Sequence, residues 1–180
     1  ACVILEPATT EHPKDNFLHK VRDLCHRNGA VFILDEMITG FRWHLKGAQY
    51  YYDIKPDLCT FGKAMANGFS VAAIAGKREI MQLGSIEFEG KERVFLLSTT
   101  HGAEMSGLGA FVAAMKFMKE NNVVEYIWGY GTKLISMINE LAKKAKAEGL
   151  EDHEKIEQQK LRKKYIAAVK KNVKSHLFLT

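Results

Sequence analysis

At 180 residues, with 47% hydrophobic and 26% charged residues, the chain is long enough for one compact domain or a piece of a larger one, and too apolar to be disordered. Of the net charge of +5, residues 151–180 supply +4 (eight Lys and Arg against four acids), so the basicity belongs to the tail and says little about what the body binds. No apolar window approaches the length of a membrane span, no basic stretch leads into an apolar run at the start, and Cys2, Cys25 and Cys59 form neither a disulfide framework nor a CxxC pair, so a cytoplasmic, reducing setting is expected.

Cys2-Val3-Ile4-Leu5-Glu6 is a short apolar run stopped by Pro7, which predicts a buried strand. A chain that opens directly on a strand, with Ala1 in place of Met, is expected to be a segment of a longer protein. Over residues 14–28, Phe17, Leu18, Val21, Leu24 and Cys25 fall on one helical face, with Cys25 expected in the core, and Gly29 stands where a left-handed residue would end the helix. Ala30-Val31-Phe32-Ile33-Leu34 is a second apolar run, closed by Asp35-Glu36. Strand, helix and strand make a βαβ unit. Strands apolar on both faces predict a parallel sheet covered on both sides, with a right-handed crossover.

A polar and aromatic stretch (41–56) precedes predicted strands at 57–61 and 71–75, a short helix at 77–83 and a strand at 93–97. Helical spacing follows from 104 onward, through Leu108, Phe111, Met115 and Met118, then Leu134, Ile138, Leu141 and Ala145. Residues 154–174 read as a basic amphipathic helix with Leu161, Tyr165, Val169 and Val173 on one stripe. The fold class is α/β, a parallel sheet with flanking helices followed by a helical C-terminal extension.

Ligands of open parallel sheets bind beyond the carboxyl ends of the strands. Asp35 closes one such strand, and Lys63 follows another by one glycine. Two readings stay open on the residues alone. One is a salt bridge at the strand edge; the other is a nucleophilic lysine that forms a Schiff base, with a carboxylate keeping a cofactor ring nitrogen protonated.

The ordered string Glu6-Pro7, Asp35-Glu36-Met37-Ile38-Thr39-Gly40-Phe41-Arg42, Pro56-Asp57, Gly62-Lys63, Asn67-Gly68 and Ser98-Thr99-Thr100-His101-Gly102 resembles class III aminotransferases, pyridoxal-phosphate (PLP) enzymes of fold type I. Its DExxTGFR form resembles the glutamate-1-semialdehyde aminomutase branch, and the likeness covers roughly residues 1–150. The resemblance implies a catalytic Lys63 that binds PLP as a Schiff base and shuttles a proton, Asp35 on the pyridine nitrogen, and Met37 against the ring face, on the same side as Asp35 along an extended chain. It also implies Thr99 on the cofactor phosphate of a neighbouring subunit, hence a homodimer with shared sites; a helix N-cap is the competing reading of that threonine. Substrates would be a small-molecule amino donor and a carbonyl acceptor, among them amino-acid semialdehydes and sugar-linked aldehydes or keto compounds.

Residues 1–120 would belong to the PLP-binding large domain, 121–150 to a helix leading toward the small domain, and 151–180 to an atypical or truncated small domain. Ile38 replaces the glutamine of the ornithine-type branch, and Lys46 replaces an expected loop glycine. A family subunit is more than twice this length, so activity of the segment alone is not expected. A truncated, non-catalytic relative or assembly module is the alternative. Tyr50-Tyr51-Tyr52 fits either an active-site entrance and dimer interface or surface packing, and Glu6-Pro7 reads as architectural. No metal site is expected, since His101 and Glu104 lack ligand spacing, and the tail helix reads as a solvated face, with neither nucleic acid nor membrane as partner.

Overall fold

The computed structural model describes residues 1–9, 11–85, 102 and 104–177. They divide into two compact units, Ala1–Val124 and Glu125–Thr180.

In the first unit, β1 (Cys2–Leu5), β2 (Val31–Asp35), β3 (Leu58–Phe61) and β4 (Ala73–Gly76) form one sheet in that order. β1, β2 and β3 are parallel, with Ile4 opposite Ile33 and Asp35 opposite Thr60. β4 departs from the expected all-parallel sheet and pairs antiparallel with β3, Phe61 facing Ala73. Nothing longer than the turn at 62–72 separates the two strands, which leaves no room for the crossover that a parallel return needs.

Helix α1 (Phe17–Arg27) crosses between β1 and β2 and covers one face of the sheet. Leu18 and Cys25 from the helix meet Phe32, Leu34, Ile54 and Cys59, and Leu5, Val21, Ala30 and Phe61 close the rim. Cys25 lies in the core as expected, whereas Phe17 and Leu24 of the same predicted stripe are exposed. The helix ends as its sequence predicts. Gly29 takes φ +62°, Ala30 N–H donates to the Cys25 carbonyl at 2.9 Å and Gly29 N–H to that of His26 at 3.2 Å, the paired bonds of a Schellman stop. β1 is not covered on both sides, since Val3 and Ile4 are exposed.

Short helices α2 (Ala48–Tyr51) and α3 (Arg78–Met81) flank β3 and β4 in sequence, and α4 (Met105–Glu120) brings Phe111 to Phe41, ring centroids 6.2 Å apart. Asn121 ends α4 and Asn122, at φ +46°, separates it from α5 (Val123–Ala147). The predicted strand 93–97 lies outside the described residues.

The second unit comprises most of α5 and α6 (Asp152–Leu177), joined through Gly149 at φ +83°. Glu154 fastens the turn: one carboxylate oxygen accepts the Glu151 N–H at 3.0 Å and the other meets Lys144 Nζ at 2.6 Å. Lys144 in turn holds the Glu154 carboxyl below its ordinary range. Leu161 of the predicted stripe is buried and Tyr165 half-exposed, beside an apolar groove formed with Ile135, Ile138 and Ile166. Among the described residues no helix is long and apolar enough to cross a membrane.

Candidate active site

β2 and β3 run in the same direction with Asp35 opposite Thr60, so both deliver their carboxyl ends to one edge of the sheet. Asp35 is the last residue of β2. Its Oδ1 accepts two hydrogen bonds, from the Met37 N–H at 3.0 Å and from the Thr60 hydroxyl at 3.0 Å. Oδ2 has no hydrogen-bond partner among the described residues.

The Asp35–Met37 bond is an Asx turn, which competes with continuation of the strand. The Gly40 N–H then donates to the Glu36 carbonyl at 2.8 Å, and residues 36–40 fold back as a turn. Met37 therefore does not lie along an extended chain, as the alternation argument assumed. Half-buried, it reaches across to β3: a Cβ on Gly62 would run into Met37 Cε, and its sulfur would be 2.9 Å away. The glycine before Lys63 is thus the space that the thioether fills.

Lys63 opens a 3-10 turn, Lys63–Met65, with left-handed backbone at φ +45°. A side chain with a Cβ adopts that region at a cost. Its side chain is exposed, and among the described residues it has no hydrogen-bond or ion-pair partner. The salt bridge to Asp35 left open by the sequence is not formed. Asp35, Met37 and Lys63 share one edge of the sheet; Thr99 lies outside the described residues, as do Ser98, Thr100 and His101.

Two buried carboxylates hold this edge in shape, and neither was singled out as a site-forming residue from sequence. Glu36 is fully buried. It accepts the Ala48 N–H at 2.5 Å, the Gln49 N–H at 2.9 Å and the Thr39 hydroxyl at 3.0 Å, so it caps α2 and ties the 39–49 loop to the end of β2. Gly47, at φ +82°, leaves room for it, since a Cβ there would stand 2.5 Å from Glu36 Oε1. Burial, and then the Glu36 charge, push the neighbouring Cys59 thiol up to about 12.

Asp57, also buried, accepts the Phe32 N–H at 2.7 Å, meets Lys77 Nζ at 2.7 Å and bonds His26 Nε2 at 3.1 Å. Burial opposes its ionisation, but the bonds from Lys77, Phe32 and His26 prevail and hold the carboxyl below its ordinary range. One side chain thereby joins α1, β2 and the far end of β4. Only motif position hinted at these roles, because the partners of both carboxylates include backbone N–H groups that carry no sequence signal.

The tyrosine run splits. Tyr51 and Tyr52 pack with Trp43 (centroids 5.1 and 5.6 Å) and His12, whose Nδ1 lies 2.9 Å from the Tyr52 hydroxyl. Tyr50 stacks on His44 at 4.0 Å with Lys46 Nζ 5.0 Å from its ring centre. Burial raises the Tyr52 phenol and lowers the half-buried Arg42 guanidinium, which donates to the Ile38 carbonyl at 2.7 Å. No group of three metal-binding side chains occurs among the described residues.

The chain is similar to known proteins. A family model described as Aminotransferase class-III matches residues 1–152, and one described as Bacterial protein of unknown function (DUF896) matches residues 133–180. The chain is 42% identical over 139 residues to a glutamate-1-semialdehyde 2,1-aminomutase of Alkaliphilus oremlandii, covering 74% of this chain and 32% of that protein. The same-named protein of Archaeoglobus fulgidus is 37% identical over 152 residues, covering 82% of this chain and 35% of the relative. The chain thus spans about a third of the length of these two relatives. An omega-transaminase from Sphaerobacter thermophilus superposes with a TM-score of 0.70 at 26% identity, over 80% of this chain and 33% of that one. With residues 1–152 matched by its family model, the chain belongs to the class-III aminotransferase family.

Proposed function

We propose that this chain is the lysine-bearing part of a PLP-dependent amino-transferring subunit. The observation that carries the reading is the common edge of β2 and β3, where Asp35 keeps Oδ2 without a partner and Lys63 keeps its amine unpaired among the described residues. The donor set suits the cofactor. A carboxylate oxygen aimed away from its own two donors can accept from a ring N–H, a primary amine can condense with an aldehyde, and a thioether beside Gly62 offers a soft apolar surface for an aromatic face. PLP, when bound, supplies a ring that takes up the electron pair left at the substrate α-carbon.

The chain's own groups do the rest. Asp35 Oδ2 would accept the ring N–H and, through its charge, keep that nitrogen protonated. Lys63 Nζ would take up the proton of the substrate α-carbon and return it at the former aldehyde carbon of the cofactor, one nitrogen away. Met37 would offer its thioether to the ring and keep water from that face. In this reading Thr99 would serve the cofactor phosphate of a neighbouring subunit, so the assembly is a homodimer; the setting, read from cysteine usage, is cytoplasmic. The substrate class is amino-acid semialdehydes and related carbonyl compounds with an amino donor, as the names of the relatives suggest. Residues 1–120 then belong to the large domain, 121–150 lead toward the small domain, and 151–180, a basic helix and tail, are an atypical or truncated small domain.

Borohydride reduction of the chain incubated with PLP, followed by peptide mass mapping, tests the reading. The pyridoxyl label is expected at Lys63 alone and absent in Lys63→Ala. Label scattered over the tail lysines would overturn it for this chain and leave the non-catalytic alternative.

A further inference from the structure

We infer that Thr60 is a positioning residue, whose hydroxyl ties the Asp35 carboxylate to the strand that carries Lys63. The inference rests on the roles proposed above for Asp35 and Lys63.

The two donors on Asp35 Oδ1 are not equivalent. The Met37 N–H lies two residues away on the same chain, so its bond orients the carboxylate only with respect to its own turn. The Thr60 hydroxyl comes from the neighbouring strand, 25 positions on, and its 3.0 Å bond orients the carboxylate with respect to β3. Asp35 and Thr60 are register partners at the last paired position of β2 and β3, and the Glu36 N–H donates to the Thr60 carbonyl at 3.0 Å to extend the ladder by one more bond. Three residues after Thr60 the chain reaches Lys63. A single threonine therefore links acid and lysine by one side-chain and one main-chain bond.

With both donors in place, Oδ1 is saturated and Oδ2 is left to face a ligand. Losing the hydroxyl leaves one local donor and a carboxylate free to turn about its last side-chain torsion, which is broad for aspartate. The acceptor aimed at a ring N–H would then no longer be fixed relative to the lysine that must reach the same ligand. Hydrogen bonds to charged groups are the strong class, so the effect on cofactor capture is roughly tenfold.

Thr60→Val keeps the β-branched shape that suits a strand and removes only the hydroxyl; Thr60→Ser restores the hydroxyl. Both are made in the full chain. Three quantities are measured: the PLP concentration for half-maximal borohydride label at Lys63, the pH dependence of the visible absorption of the PLP-loaded protein, and the urea midpoint without PLP. Thr60→Val is expected to raise the half-labelling concentration roughly tenfold and to shift the absorption midpoint, while Thr60→Ser returns both to wild-type values. Label at Lys63 that is indifferent to Thr60→Val overturns the inference and leaves the site reading standing. Loss in both variants that follows the urea midpoint also overturns it, because the residue is then only structural. Failure of the wild-type chain to label at Lys63 overturns the site reading itself and this inference with it.

Discussion

Replacing Glu36 removes the acceptor that holds the 39–49 loop. In Glu36→Ala the Ala48 and Gln49 N–H groups and the Thr39 hydroxyl, bonded at 2.5, 2.9 and 3.0 Å, lose their partner, with Ala48 and Thr39 buried and Gln49 half-buried. Each stranded backbone donor costs about 1–3 kcal/mol, and relief from burying the carboxylate returns part of this, so the net loss is about 4 kcal/mol. Glu36→Gln keeps one acceptor oxygen and turns the other into a donor facing an N–H; its loss is about 2 kcal/mol. Domain stabilities are about 5–15 kcal/mol, so both shifts are large.

Urea unfolding followed by the fluorescence of Trp43, in a Trp128→Phe background, reads the loop directly, because these are the two tryptophans of the chain. Gly47→Ala supplies an internal control: its methyl would sit 2.5 Å from Glu36 Oε1, so it should cost less by about 1–2 kcal/mol in the Glu36→Ala background than alone. A Glu36→Ala chain within about 0.5 kcal/mol of wild type, or a cycle without coupling, would refute the argument that this carboxylate anchors the loop.

Acid stability should depend on Asp57. Its carboxyl lies below the ordinary 3.8 in the folded chain, so its contribution is complete above that value and is lost as pH falls through it and below. Asp57→Asn should lower the urea midpoint near neutrality and flatten the acid limb of its pH profile; an unchanged limb would contradict the assignment. Thiol titration at pH 8 should find Cys2 fast, with Cys25 and Cys59 reacting only on unfolding, because Cys2 is exposed, the other two are buried and the Cys59 thiol is pushed up to about 12. Gly62→Ala should displace Met37 and cost about 1–3 kcal/mol in thermal or urea unfolding, and Met37→Ala in the same chain should return most of it. Additive losses would show that the two do not share one space.

Where local pattern determines structure, the chain could be read directly. The apolar runs at 2–6 and 30–34, the helix between them and its Gly29 stop appear where expected, because each is decided by neighbours within a few residues. The edge shared by Asp35 and Lys63 followed from strand ends and motif order. What was not legible depends on partners far along the chain. The direction of β4 is absent from a four-residue pattern, and the backbone at Met37 turns where an extended chain was expected, because the Asx bond of Asp35 competes with strand continuation. Thr60 looked like any strand residue until the register set it opposite Asp35. Glu36 and Asp57 carried charge into the interior for backbone groups that no sequence pattern marks.

The antiparallel return of β4 has a consequence in time. The turn that carries Lys63 closes over the residues between Phe61 and Ala73, whereas the bond from Thr60 to Asp35 spans 25 positions and that from His26 to Asp57 spans 31. Hairpins close in about 1–10 μs, while pairings between distant strands wait on a larger loss of chain freedom. The shorter closure favours the lysine turn as a local hairpin that nucleates ahead of the docking of β2 beside it.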